Sequence, residues 1–120
     1  MPRYADGFLL AVPKRKLAAY RQIARKAGKI WKEHGALEYM ECAGDDLKTT
    51  TGVPFTKVSR AKSGETVVFS WIVYKSRADR DRVNRKVMAD PRIAPLMDPK
   101  AMPFDMKRMT YGGFRVIVDM

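Results

Sequence analysis

Cysteine and histidine are nearly absent: Cys42 and His34 are the only examples in 120 residues. One thiol rules out an internal disulfide framework. One imidazole rules out a histidine-based metal site built from a single chain. Long apolar runs are missing too. None approaches the roughly 18 residues that a membrane-spanning helix needs, and the opening Met1-Pro2-Arg3-Tyr4-Ala5-Asp6-Gly7 lacks the apolar stretch of a secretory signal. Acidic residues are in deficit, with 13 Asp and Glu against 24 Lys and Arg and a formal net charge of +11. These shortages lead us to expect a soluble, cytoplasmic protein of one domain, residues 1–120, with no membrane segment and no cofactor.

Excess base raises the prior for a polyanionic partner. Here, however, the basic residues are spread through both predicted helices and every loop. No arginine-rich arm, zinc-finger spacing or aromatic RNA-binding signature accompanies them. A solvated basic surface is the simpler reading, and nucleic acid is not the expected partner.

What the chain does contain is hydrophobic residue, 46% of the total, and its densest stretch is Thr66 to Tyr74. Strand side chains alternate, so Val67, Phe69, Trp71 and Val73 share one face and Val68, Ile72 and Tyr74 the other. Two helices can cover one face of a small sheet. The second face calls for another cover, and a second copy of the same sheet supplies it.

The remaining elements follow from period and punctuation. Tyr4 to Val12 predicts a first strand with a small odd-numbered face (Ala5, Gly7, Leu9, Ala11) and a bulky even face (Tyr4, Phe8, Leu10, Val12). Small residues admit a close helix, so the helices are expected over the odd face. Lys14 to His34 predicts a helix, with Leu17, Tyr20, Ala24, Ala27 and Trp31 as its apolar stripe and Gly35 as its stop. Leu37 to Gly44 predicts the second strand, followed by a long connection, 45–64, in which 55–61 reads equally as helix or strand. Ser76 with Asp79 predicts the cap of a second helix reaching Ala89, with Val83 and Val87 towards the sheet. Ile93 to Met97 adds a short turn, and Tyr111 to Asp119 the last strand. The order β-α-β-β-α-β is that of an α+β, ferredoxin-like fold, an antiparallel four-stranded sheet with both helices on one face. Two such sheets packed face to face make a dimeric α/β barrel.

Several side chains are candidates for chemistry. Asp6, Glu41, Asp105 and Arg108 form a polar set in which Arg108 is the expected partner of the acids. A structural ion pair is the plainer reading. Convergence in a pocket would instead raise an acid's pKa and make it a proton acceptor. Trp71 reads first as core, and Asn84, on a helix flank, as a partner for a nearby loop. Tyr111 opens the last strand. His34 ends a helix, where a protonated imidazole suits the dipole. Glu41 and Cys42 are adjacent on a strand and so point to opposite faces, which leaves Cys42 as a buried, inert thiol.

Six blocks carry a family resemblance: Tyr4-x-Asp6-Gly7-Phe8, His34-Gly35-Ala36-Leu37, Glu41-Cys42, Phe69-Ser70-Trp71, Val87-Met88-Ala89-Asp90-Pro91-Arg92, and a long one from Met102-Pro103-Phe104-Asp105 through Lys107-Arg108-Met109 to Tyr111-Gly112-Gly113-Phe114. Over nearly its whole length the chain resembles the YbaA-like family of bacterial proteins of unknown function. The resemblance implies a dimeric α/β barrel, shared more distantly with antibiotic-biosynthesis monooxygenases and haem-degrading proteins, and implies no activity. Members are commonly acidic or near neutral, so the +11 is particular to this chain. The monooxygenase relatives use no metal or flavin, working with an Asn, a Trp and a polar proton-transfer group. Trp71, Asn84, Tyr74, His34 and Tyr111 are the matching residue types here. The expectation is a homodimer binding a small, partly hydrophobic molecule at Asp6, Glu41, Trp71, Asn84, Asp105, Arg108 and Tyr111. Cofactor-independent oxidation in the barrel is the alternative, and polyanion binding by the basic surface a second one.

Overall fold

The doubly apolar segment becomes the second strand from one edge in a computed structural model that describes residues 1–120. Along the chain lie β1 (Tyr4–Pro13), a 3₁₀ turn at Lys14–Lys16, α1 (Leu17–His34), β2 (Glu38–Ala43) and α2 (Phe55–Val58). Then come β3 (Glu65–Tyr74), α3 (Arg77–Ala89), α4 (Ile93–Leu96), a second 3₁₀ turn at Met106–Arg108 and β4 (Thr110–Arg115). The strands lie in the order β2-β3-β1-β4, and every neighbouring pair is antiparallel. This is the ferredoxin-like α+β fold, and α2 resolves the open reading of 55–61 as one short helical turn. No helix is long and apolar enough to cross a membrane.

The helices cover the even face of β1, not the odd one. Leu10, Val12 and Val68 pack with Tyr20 and Ala24, while Ile72 and Tyr74 pack with Ala27, Ile30, Val83 and Val87. The small residues that permit close approach sit on the helix instead of the strand. At Gly28 a Cβ would lie 2.8 Å from the Tyr39 ring, so α1 rests directly on β2 there. Bulky strand residues then fill the layer and bury their apolar area, the larger gain. Asp6 consequently lies beneath the helices.

The odd face is left partly bare. Phe69 is 46% exposed, Met40 43% and Phe114 62%, and Trp71 is half-buried. The 44–64 connection folds over one end, where the Phe55 and Phe69 rings are 6.0 Å apart.

Local signals behave as their chemistry requires. Gly35, at φ +122°, ends α1 in a conformation that side chains rarely adopt. The Asp79 N–H donates to Ser76 Oγ at 3.1 Å, capping α3. The Asp79 carboxylate turns to Arg82 instead of back to the cap. The last strand is shorter than expected, stopping at Arg115 instead of Asp119. Arg115 pairs with Tyr4, the first residue of β1, so 116–119 has no strand partner; a bond from Val116 N–H to the Arg3 carbonyl at 3.0 Å and an Arg3–Asp119 ion pair at 3.7 Å hold it.

Candidate functional site

Register builds the site. Pairing aligns Tyr39, Ile72, Asp6 and Gly113 in one row across β2-β3-β1-β4, and Glu41, Ser70, Phe8 and Tyr111 in the next. All eight positions are on the helix-covered face. With strands ~4.8 Å apart, a row spans ~14 Å. Above it, α1 offers Tyr20, Ala24, Ala27 and Trp31, two alanines between two large aromatics, so the roof is recessed at its middle. The space between is a cavity of about 540 Å³, and 20 of its 27 lining residues are hydrophobic. Met97, Met102, Met106 and Met109 supply one wall from the segment between α4 and β4. Unbranched, polarisable side chains of this kind adapt to varied shapes.

Polar groups occupy two ends of this space. At the first, Asp6 is 6% exposed and accepts from Arg80 Nη1 of α3 at 3.0 Å. Burial pushes the Asp6 carboxyl above its ordinary value, and Arg80, Asn84 and Tyr74 pull it part of the way back. The Arg80 guanidinium also lies 4.8 Å from the centre of the Tyr4 ring. Its Nε is 2.8 Å from Asp81 Oδ1 but off the hydrogen-bond line, so that contact is one of charge alone. The Trp31 indole N–H and the Tyr74 hydroxyl both donate to Asn84 Oδ1 at 3.1 Å. Burial, then the Asp6 charge, raises the Tyr74 phenol and keeps it a donor.

At the second end, Glu41 accepts from the Tyr20 hydroxyl at 2.7 Å and from the Tyr39 hydroxyl at 2.8 Å, one phenol on each oxygen. Both phenols are pushed up, first by burial and then by the Glu41 charge. Tyr20, Ala24, Tyr39 and Glu41 also border a wider, more open groove of about 1090 Å³ between α1 and β2. The Tyr–Glu–Tyr bridge is thus the partition between groove and cavity.

Four of the seven anticipated residues meet here: Asp6, Glu41, Asn84 and Tyr111. Asn84 bonds cavity residues and not a loop. Tyr111 stacks on Phe8 at 6.0 Å. Trp71 borders the cavity through its strand, yet its indole lies on the bare face and donates to Glu38 at 3.1 Å. Asp105 and Arg108 lie outside. Asp105 is exposed and accepts from the Lys107 N–H at 3.0 Å. Arg108 grips Glu65 through two bonds of 2.7 and 2.8 Å, with Asp105 at 3.3 Å, and so anchors the methionine wall to the start of β3. It does not reach Asp6. His34 closes α1 as expected, and its Nε2 also lies 2.8 Å from Asp90 Oδ2, tying the ends of α1 and α3. Cys42 is half-buried beside the bare face, with no sulfur partner. No group of three or more His, Cys, Asp or Glu is placed to hold a metal ion.

Sequence reasoning misses Arg80, Tyr20 and Tyr39 as site residues. Helical spacing marks Tyr20 only as part of an apolar stripe, and nothing local sets Arg80 apart from the other basic residues. One signal was available: a carboxylate at Asp6 or Glu41 among apolar neighbours requires donors from facing elements.

This geometry has relatives. The family model described as "Protein of unknown function (DUF1428)" matches residues 3–106. The chain belongs to this family. The uncharacterised YbaA proteins of Escherichia coli K12 and Shigella flexneri are each 46% identical over 117 residues, covering 98% of both chains. Among solved structures, this DUF1428 chain is similar to a dimeric ferredoxin-like protein from an uncultured marine organism, at 13% identity, full coverage of both chains and a TM-score of 0.63. It is also similar to a mutant of SnoaB, a cofactor-independent oxygenase from Streptomyces nogalater, at 11% identity, 100% and 98% coverage and a TM-score of 0.64. At these identities the likeness is one of fold.

Proposed function

We propose that this DUF1428 protein acts as a homodimer in which each subunit binds a small, partly hydrophobic molecule in the cavity beneath its helices. The observation that carries the reading is an apolar space of about 540 Å³ with hydrogen-bonding groups at both ends. Ligand sites combine an apolar lining with a few placed polar groups, at volumes of roughly 300–1,000 Å³. The pairing of subunits is supported separately, by the bare Phe69, Met40 and Phe114 surface and by the dimeric solved relative. The helix-covered floor of the cavity lies across the sheet from that surface, and Met40 and Trp71 border both. The test is a calorimetric titration with naphthalene-bodied probes against wild type and Ala24→Phe, whose ring fills the roof. Binding by wild type and none by the folded variant is the expected result; equal binding by both removes the cavity from consideration.

A second reading, oxidation of a hydroxylated aromatic without a cofactor, is favoured by the Asp6 end. A carboxyl raised by burial, beside Tyr74 and Asn84, is a better proton acceptor than an ordinary aspartate. The SnoaB likeness lends it the fold and nothing further. Oxygen uptake in the presence of phenols or hydroquinones, abolished by Asp6→Asn, would support it. Binding without oxygen uptake leaves the first reading alone.

A further inference from the structure

We infer that the cavity selects organic cations, and that its ligand is an apolar amine held by Glu41. The inference rests on the cavity being a binding site and names the chemistry it accepts. The first argument is charge. The lining contains two carboxylates, Asp6 and Glu41, and a single cation, Arg80. Arg80 is already engaged with Asp6 at 3.0 Å and Asp81 at 2.8 Å. Glu41 takes part in none of the chain's ion pairs. In a protein of net charge +11, the cavity is therefore the place where the sign reverses.

The second argument is hydrogen bonding. A carboxylate offers about four acceptor positions. The two phenols fill two of them, one on each oxygen, at 2.7 and 2.8 Å. Both phenols remain donors because burial and the Glu41 charge oppose their ionisation. They fix the carboxylate without neutralising it. A part-buried carboxylate held in this way still has acceptor positions for a cation's N–H donors.

The third argument is the surrounding surface. Trp31 and Tyr39 lie with ring centres 6.2 Å apart, and Tyr20 and Phe104 at 5.7 Å. Aromatic rings around a carboxylate are the setting in which ammonium groups are recognised, through cation–π attraction. An anionic ligand would meet the opposite: an unpaired Glu41 and no free basic side chain.

The experiment compares naphthylethylammonium, naphthylethanol and naphthylacetate, which share a body and differ in charge, by calorimetry at neutral pH. The ammonium probe should bind about ten- to a hundredfold more tightly than the alcohol, and the carboxylate most weakly. Added salt should strengthen ammonium binding by screening the basic exterior. Glu41→Gln should abolish the preference for the ammonium probe over the alcohol. Equal affinities, a carboxylate that binds best, or a preference that survives Glu41→Gln would each overturn the inference and leave the cavity standing. If none of the three binds, the cavity reading falls with it. Should Glu41→Gln fail to fold, the wild-type ranking decides alone.

Discussion

Replacing Arg80 with methionine isolates the charge at the first end of the cavity. The guanidinium is 3.0 Å from Asp6, with side-chain exposures of 20% and 9%, and 4.8 Å from the Tyr4 ring centre. Removing one member of a well-buried ion pair costs about 3–5 kcal/mol. Arg80 is one-fifth exposed, so a loss of about 3 kcal/mol at neutral pH is the expectation, including the lost cation–π contact. For a domain of this size that lowers the thermal midpoint by roughly 10 °C. The cost must depend on pH, with a definite sign. Asp6 already sits above its ordinary value in the folded protein, so its contribution to stability is complete below that value and is lost as pH rises through the folded one. Arg80 opposes the shift, and without it the folded value climbs further. The variant is therefore least destabilised at or below the ordinary carboxylate range, where Asp6 is protonated in both states, and most once the pH has passed the raised folded value. Adding Asp6→Asn removes the stranded charge and restores at least half of the loss. Thermal and urea unfolding followed by circular dichroism measures all of this. A deficit below about 0.5 kcal/mol in both pH regimes, or one that does not shrink in the double variant, refutes the reasoning.

Two further outcomes follow from the same structure. Glu65 is held at about 2 by its bonds to Arg108, below the ordinary carboxylate range, so its stabilisation is present above that range and lost as pH falls towards 2. Glu65→Gln should lower stability at neutral pH and flatten the acid limb of unfolding; an unchanged acid limb would show that the pair is not what secures the methionine wall. Gly28→Ala should destabilise by about 1–3 kcal/mol despite alanine's better helix propensity, because its Cβ meets the Tyr39 ring at 2.8 Å. A stabilised alanine variant in thermal unfolding would mean that α1 is free to lift from β2.

Much of the fold is legible because it depends on period and punctuation. Alternation marks both faces of β3, the spacing from Leu17 to Trp31 marks α1, and Ser76 and Gly35 mark their boundaries. The choice of face for the helices is not legible. Small residues at Ala5, Gly7 and Ala11 suggest a bed for a helix, but Ala24, Ala27 and Gly28 on α1 provide the same room from the other side. Parity divides a strand into two faces without saying which one meets the helices. The end of β4 misleads for a related reason: the β-prone residues 116–119 carry a strand signal, but a strand needs a neighbour, and β1 starts at Tyr4.

The site divides along the same line. Asp6 and Glu41 stand out individually because a carboxylate among apolar residues needs explaining. Except for Tyr39, two residues from Glu41 on the same strand face, their partners do not, because partnership is set by register and packing between residues 21 to 74 apart. Proximity to the last strand suggests Arg108 as the partner of Asp6, whereas the charge that reaches Asp6 is on α3, one turn past the Ser76 cap. A helix entering above the Tyr4 end of the sheet brings its first inward arginine to the nearest buried acid. Arg108, at the opposite end, meets Glu65, the residue paired with Pro13 where β1 finishes. Each arginine thus neutralises the acid at its own end of the β1–β3 pair, and both are used up in doing so. Glu41, on the edge strand β2, is bonded by neither, and its side-chain hydrogen-bond partners are the two phenols. The anionic character of the cavity is a consequence of where the sheet ends its strands, which no local pattern in the chain expresses.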